Sequence, residues 1–282
     1  MVNVIIKSFI SYNLSVIALT AIIISSCNSG IHASELPTPL LTAHAHNDYY
    51  HQRPLLDALD QGFSNVEADV FLVGDQLLVG HFRWELRRDR SLESLYLAPL
   101  KERVTANDGH VYPQPGRFVL LIDIKEDGAD AYAALAKLLA KYDDILSVTQ
   151  DGKHEQKAVT VIISGDRAQK EIAKSNPRYV GIDGRISDLE SEAPSDLLPL
   201  ISDKWSSHFK WKGSGEMPPE EREKLKGIVQ KAHQKGRLVR FWATPEKPEV
   251  WAELQQAGVD LIGTDDLKKL ANFLNENTPA AQ

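Results

Sequence analysis

Apolar and polar positions along this chain alternate between two periods. Short apolar runs of strand type recur from residue 40 to residue 264, and stretches with a one-sided apolar face follow most of them. The runs predict strands at 40–45, 65–73, 118–124, 159–164, 179–183, 197–202, 238–242 and 261–264, with a short return strand at 76–79 after the hairpin-type turn Gly74 and Asp75. Between them, helices are expected after Pro54, ended by Gly62, and over 92–100, 167–174, 219–235, 248–256 and 267–274. The face of Tyr132, Leu135, Leu138, Leu139 and Tyr142 marks another. Eight strands alternating with helices specify an α/β fold, a TIM (β/α)8 barrel, as a single domain over 40–275 with a frayed tail over 276–282. Residues 83–117 make a connection long enough to be read as a cap over the rim where such barrels carry their chemistry.

Composition agrees with one large core. The chain has 282 residues, 43% of them hydrophobic, and one barrel of about 250 residues is an ordinary use of that length. A net charge of -7 argues against a nucleic-acid partner, which calls for a basic face. Residues 1–26 carry one lysine, Lys7, then an apolar core over 16–24 that is too short to span a bilayer. They are read as a signal peptide. Cys27 is the one cysteine, so no disulfide forms within the chain. The run Ile24, Ser25, Ser26, Cys27 resembles a bacterial lipobox, with plain secretion cleaved near Ala33 as the alternative. The expectation is a secreted or periplasmic lipoprotein of a bacterial cell envelope, held at the membrane by lipid on Cys27 and a tether over 27–39.

Candidate chemistry is concentrated between His44 and His81, in H-A-H-N-D-Y, V-E-A-D-V and V-G-H. Period 2 places Glu67 and Asp69 on the same face of one strand, and two neighbouring carboxylates are costly unless a cation sits between them. Folding about Gly74 and Asp75 returns His81 opposite Asp69. His44 and His46 close the preceding strand, and Asp123 ends the next one. Three converging carboxylates without a thiol favour one hard divalent cation, Mg2+ or Ca2+.

This arrangement resembles the glycerophosphodiester phosphodiesterase and phospholipase C-like superfamily of TIM barrels, including its sphingomyelinase D branch. The resemblance rests on His46 ending strand one, Glu67 and Asp69 ending strand two, His81 a dozen residues later, and Asp123 in the run Leu121, Ile122, Asp123, Ile124, Lys125. Trp242 and the close from Gly258 to Asp265 extend it to about residue 266. It implies Glu67, Asp69 and Asp123 as metal ligands and His46 and His81 as an acid and base pair cleaving a small phosphodiester or a lipid head group. Two departures stand out. Asn47 and Asp48 follow His46 where the phosphodiesterases carry Arg-Gly, and Gln52, Arg53 and Pro54 replace an E-N-T run.

Other residues are weighed beside these. Asn47, Lys125, Trp242 and Arg185 are candidates for binding substrate. Lys125 alternatively pairs with the acids, Trp242 packs in the core, and Arg185 forms a loop salt bridge with Asp183. Arg83, Arg87, Arg88 and Arg90 read as a solvated face paired with Glu85 and Asp89. His51, His110, His154, His208 and His233 show no partner pattern and read as surface residues. A rival enzyme class is the amidohydrolase-type metal barrel, for which His44 and His46 would be an H-x-H pair and Asp265 the strand-eight acid. That class needs further histidines where Asp183 and Ser202 stand. A surface-anchored barrel that binds phosphate without turnover is the non-enzyme alternative.

Overall fold

The computed structural model describes residues 37–277, which lie within one compact unit. Its strands in chain order are β1 (Leu40–Ala45), β2 (Phe63–Val73), β3 (Gln76–Val79), β4 (Phe118–Ile124), β5 (Val148–Gln150), β6 (Lys153–Glu155), β7 (Val159–Gly165), β8 (Val180–Gly184), β9 (Leu200–Lys204), β10 (Leu238–Trp242) and β11 (Ile262–Thr264). The helices are α1 (Leu56–Asp60), α2 (Ala98–Ala106), α3 (Gly128–Leu139), α4 (Gln169–Lys174), α5 (Trp205–His208), α6 (Pro219–Gln234), α7 (Pro248–Ala257) and α8 (Leu267–Asn277).

Eight parallel strands form one sheet in the order β10, β9, β8, β7, β4, β2, β1, β11, and β3 folds back antiparallel on β2. The two end strands meet through a parallel bridge between Arg240 and Leu261, with Leu261 N donating to Val239 O at 3.1 Å. The result is an α/β fold with a nearly closed parallel eight-stranded barrel, consistent with a TIM barrel.

Strand parity decides what goes where. In β4, Phe118, Leu120, Ile122 and Ile124 join the large outer core beneath the helices, while Val119 and Leu121 turn the other way. With Ile162, Leu200 and Leu261, those two fill the barrel itself. The next inward position is polar on β4, β7, β9 and β10: Asp69 and Asp123 are register partners, as are Asp123 and Ser164, then Ser202 and Arg240. An apolar plug therefore closes the barrel below, and a polar tier sits above it at the carboxyl ends of the strands.

Some expectations are corrected. Strand six starts at Leu200 and not at 197, because Pro199 has no N–H to give the ladder. The β5 and β6 hairpin was not expected, since its exposed Lys153, His154 and Glu155 carry no apolar signal. The 83–117 connection is not a cap. Leu92, Tyr96, Leu97, Leu100 and Val104 are buried in the outer core, and Tyr112 donates to Phe63 O at 2.7 Å, near the start of β2. It is apolar enough to pack along the barrel wall, and only its first residues stay near the rim. Residues 1–36 and 278–282, with the signal peptide, Cys27 and most of the tether, lie outside the described residues. No helix among the described residues is long and apolar enough to cross a membrane.

Candidate active site

The polar tier is crowded on its β1 to β4 side. Glu67, Asp69 and Asp123 each bring one oxygen to within 4.8 Å of the others. Burial, and then the neighbouring Asp69 charge, push the Asp123 carboxyl up to about 6, as expected where like charges share a dry site. Gly165 makes this placement possible. It has φ +70°, and a Cβ there would stand 2.4 Å from Asp123 Oδ1.

Each acid has its own support. Glu67 Oε2 accepts from His44 Nε2 at 3.0 Å and from the buried guanidinium of Arg240. Burial and the Arg240 charge lower the His44 pKa to about 4, so the ring is neutral at pH 7 and donates through Nε2. Asp69 Oδ2 takes Tyr49 Oη at 2.7 Å, His81 Nδ1 at 2.8 Å and Lys125 Nζ at 2.9 Å. Its Oδ1 is buried and has no partner among the described residues. Lys125 also lies 3.7 Å from Asp123.

Two half-exposed imidazoles flank the acids, and a carboxylate holds each at Nδ1. His81 donates to Asp69, and His46 donates to Asp265 at 2.8 Å. Both rings therefore keep Nε2 for a ligand. Burial works against charge on His46, but the Asp265 hydrogen bond and the Glu67 charge outweigh it and hold the pKa above the ordinary value. Asn47 adds a bond to Asp265 at 3.3 Å. It also accepts from Tyr49 at 2.6 Å, so the single Tyr49 proton is shared between Asn47 and Asp69. Asn47 reaches this position in the left-handed conformation, φ 49°, that Asn tolerates. The next residue, Asp48, is buried and accepts from Leu55 N and Tyr96 Oη, which anchors the loop to the wall. The Asn47 and Asp48 departure thus has a structural role.

The other candidates are placed less evenly. Trp242 ends β10 and lines a small pocket of about 120 Å³ with His46, Arg240 and Asp265, and Lys204 lies 5.8 Å from its ring centre. Arg185 is not brought to the acids. Its Nη1 donates to Asp183 Oδ2 at 2.9 Å, where Ser164 and Ser202 also donate. His208 and His233 are not bare surface residues, since they pair with Asp203 at 3.0 Å and Asp260 at 2.8 Å. The H-x-H pair of the amidohydrolase alternative does not converge: His44 turns to Glu67 and His46 to Asp265.

Three contributors are missing from the sequence reading. Tyr49 had no signal beyond its place after His46. Arg240 had one, a charge between apolar neighbours in a strand, because a buried guanidinium demands a partner. Gly165 follows Ser164 at a strand end, where glycine reads equally well as a simple turn.

The geometry is that of a nearly closed parallel α/β barrel with three acids and two imidazoles gathered at one mouth, and comparison with known proteins gives its family. Residues 36–183 match the AIM6-like phosphodiesterase domain, and residues 239–268 match the glycerophosphoryl diester phosphodiesterase family. The chain belongs to the AIM6-like phosphodiesterase domain family.

An Eremothecium gossypii relative, altered inheritance of mitochondria protein 6, is 31% identical over 83% of this chain and 70% of its own. An Arthroderma benhamiae homologue of that protein is 29% identical over 84% of each chain. Two glycerophosphodiester phosphodiesterase crystal structures share the fold. The one from Parabacteroides distasonis has a TM-score of 0.55 at 14% identity and covers 86% of this chain and 100% of its own. The one from Agrobacterium tumefaciens has 0.51 at 15% and covers 85% and 100%. The curated relatives are fungal, which overturns the expectation of a bacterial envelope lipoprotein.

Proposed function

We propose that this protein is a metal-dependent phosphodiesterase that cleaves a glycerophosphodiester or a phospholipid-type diester by two-histidine acid and base catalysis. The observation that carries this reading is the convergence of Glu67, Asp69 and Asp123 within 4.8 Å between two imidazoles whose Nδ1 atoms are held by carboxylates.

The residues present fit a hard divalent cation such as Mg2+ or Ca2+. The donors are all oxygens, Asp69 Oδ1 is buried with no hydrogen-bond partner among the described residues, and burial together with the Asp69 charge raises the Asp123 carboxyl. Glu67, Asp69 and Asp123 would hold the ion. When bound, it supplies Lewis-acid stabilisation of charge on a non-bridging phosphate oxygen. One of His46 and His81 takes a proton at Nε2 from the attacking hydroxyl, and the other gives its Nε2 proton to the leaving oxygen. Asp265 and Asp69 keep those rings in the tautomer and orientation this needs. His44 and Arg240 fix Glu67, while Lys125 and Tyr49 fix Asp69. Lys125, Asn47 and Trp242 border the space where the diester would lie.

The test is alcohol release from glycerophosphodiesters and from a generic aryl phosphodiester. Turnover is expected with Mg2+ or Ca2+, with loss under a chelator and recovery on adding the ion back. Activity indifferent to the chelator would reject the metal, and binding without turnover across a broad panel of diesters would leave only the silent barrel.

A further inference from the structure

Immediately after His81 the chain does something soluble proteins usually avoid. Phe82 and Trp84 stack in parallel in the open, ring centres 4.2 Å apart and planes 8° apart, with 41% and 78% of their surface exposed. Tyr50, from the loop after β1, is 57% exposed nearby, tied through its hydroxyl to Glu85 at 3.0 Å. Exposure of large rings in one place forfeits burial that each would otherwise gain.

The segment is held in this posture. Glu85 accepts from the backbone N–H of His81 at 2.8 Å and of Phe82 at 3.1 Å, closing a short turn over Arg83–Glu85 that keeps the rings from folding inward. The patch is also continuous with the catalytic groups. Phe82 meets the His81 ring edge to face at 4.5 Å, and Tyr50 packs on Tyr49, which bonds Asp69.

Its charge runs against the rest of the chain. Residues 82–90 carry four arginines against two acids in a protein of net charge -7. Arg83 pairs with Glu126, Arg87 with Asp89, and Arg90 donates to Tyr49 O, while Arg88 is exposed and makes no ion pair among the described residues. Aromatic rings with an apolar body, set among arginines, suit the boundary between headgroups and acyl chains of an anionic bilayer. A protein partner fits less well. Three partly exposed rings present a few hundred Å² at most, against roughly 800 Å² per partner in a stable protein interface.

We propose that Phe82, Trp84 and Tyr50, with Arg88, dock the barrel mouth on an anionic lipid surface, so that the diester reaching His81 comes from a bilayer lipid. This rests on the phosphodiesterase reading for its purpose and on the loop itself for its geometry.

The experiment uses the full chain and a signal local to the loop, so that attachment through residues outside the described structure does not confuse it. Emission of wild type minus that of Trp84→Phe isolates Trp84. On vesicles of phosphatidylcholine and phosphatidylserine this difference spectrum should shift to the blue and be quenched by brominated lipid, more weakly on phosphatidylcholine alone and more weakly in Arg88→Glu. Trp84→Ser should lower turnover of a vesicle-borne diester roughly tenfold or more while leaving a water-soluble aryl phosphodiester within about twofold. Trp84 emission unchanged by either vesicle would overturn the docking, as would a dimer that Trp84→Ser dissociates in the absence of any vesicle signal. Insertion of Trp84 without turnover of any diester would sink the catalytic reading and leave docking standing. Turnover without insertion would do the reverse.

Discussion

On the β1 to β4 side of the mouth, three carboxylates crowd together against Lys125 and Arg240. On the β7 to β9 side one carboxylate, Asp183, accepts from Ser164, Ser202 and Arg185. Both sides bring acid, base and hydroxyl groups together at the barrel mouth. Both also keep one buried carboxylate oxygen with no partner among the described residues, on Asp69 and on Asp183. An orphan oxygen is therefore not what distinguishes the proposed active side from the Asp183 side. The surplus of acids is, together with imidazoles that are oriented but still half open to solvent. The Asp183 side balances its own charge and has no acid left over to call in a cation.

The comparison is sharpest where one acid is removed from the crowded side. Asp69→Asn should weaken Mg2+ or Ca2+ binding by about a hundredfold in calorimetric titration, since it removes the charge of one proposed ligand and weakens the anchor of His81. Unchanged affinity would place the ion elsewhere.

Next comes the buried guanidinium that pairs with Glu67. Arg240→Ala leaves Glu67 buried with only a neutral His44 beside it, and stripping one partner from a buried pair costs about 3–5 kcal/mol. A fall in thermal midpoint of roughly 10 °C or more is expected in a melting curve. A fall of a degree or two would mean the pair is replaceable by water.

Arg185→Ala probes the balanced side. It should change turnover of a small aryl phosphodiester by less than about threefold, because the charge it contacts is also held by two serine hydroxyls. A loss as large as that of Asp69→Asn would erase the distinction between the halves.

The smallest effect is in the pH dependence of stability. His46 has its folded pKa raised, so its bond to Asp265 stabilises the fold fully below the unfolded value near 6.5, and the contribution fades as pH rises through the folded value. Asp265 has its pKa lowered by His46, which ends the same window on the acid side as pH falls through the lowered carboxyl value. The urea midpoint of wild type should therefore exceed that of Asp265→Asn most clearly near pH 6, and the excess should shrink as pH rises through the raised His46 value. Because both side chains are partly exposed, solvent screens the pair and the difference stays small.

Much of the crowded side was legible in the sequence because it is nearly contiguous. His44, His46, Glu67, Asp69 and His81 fall within thirty-eight residues, and strand parity and one hairpin are enough to place them together. Asp123 followed from the same parity one strand later. Two pairings that were not legible, Arg240 with Glu67 and Asp265 with His46, depend on closing the barrel. Arg240 is 173 residues from Glu67 and Asp265 is 219 from His46, and no local period links such positions. Element boundaries failed for a local reason, as at Pro199, where apolar content favoured a strand that the backbone could not extend. The 83–117 connection was misread as a cap from its length, although Leu92, Tyr96, Leu97, Leu100 and Val104 recur at helical spacing and pack into the outer core.

The most direct measurement is the rate of alcohol release from an aryl phosphodiester in saturating Mg2+ or Ca2+ by wild type, His46→Ala and His81→Ala, with the melting midpoint of each recorded alongside. Each substitution should lower the rate by roughly 10²–10⁴-fold with the midpoint nearly unmoved. Rates within about threefold of wild type in both variants would contradict the two-histidine account.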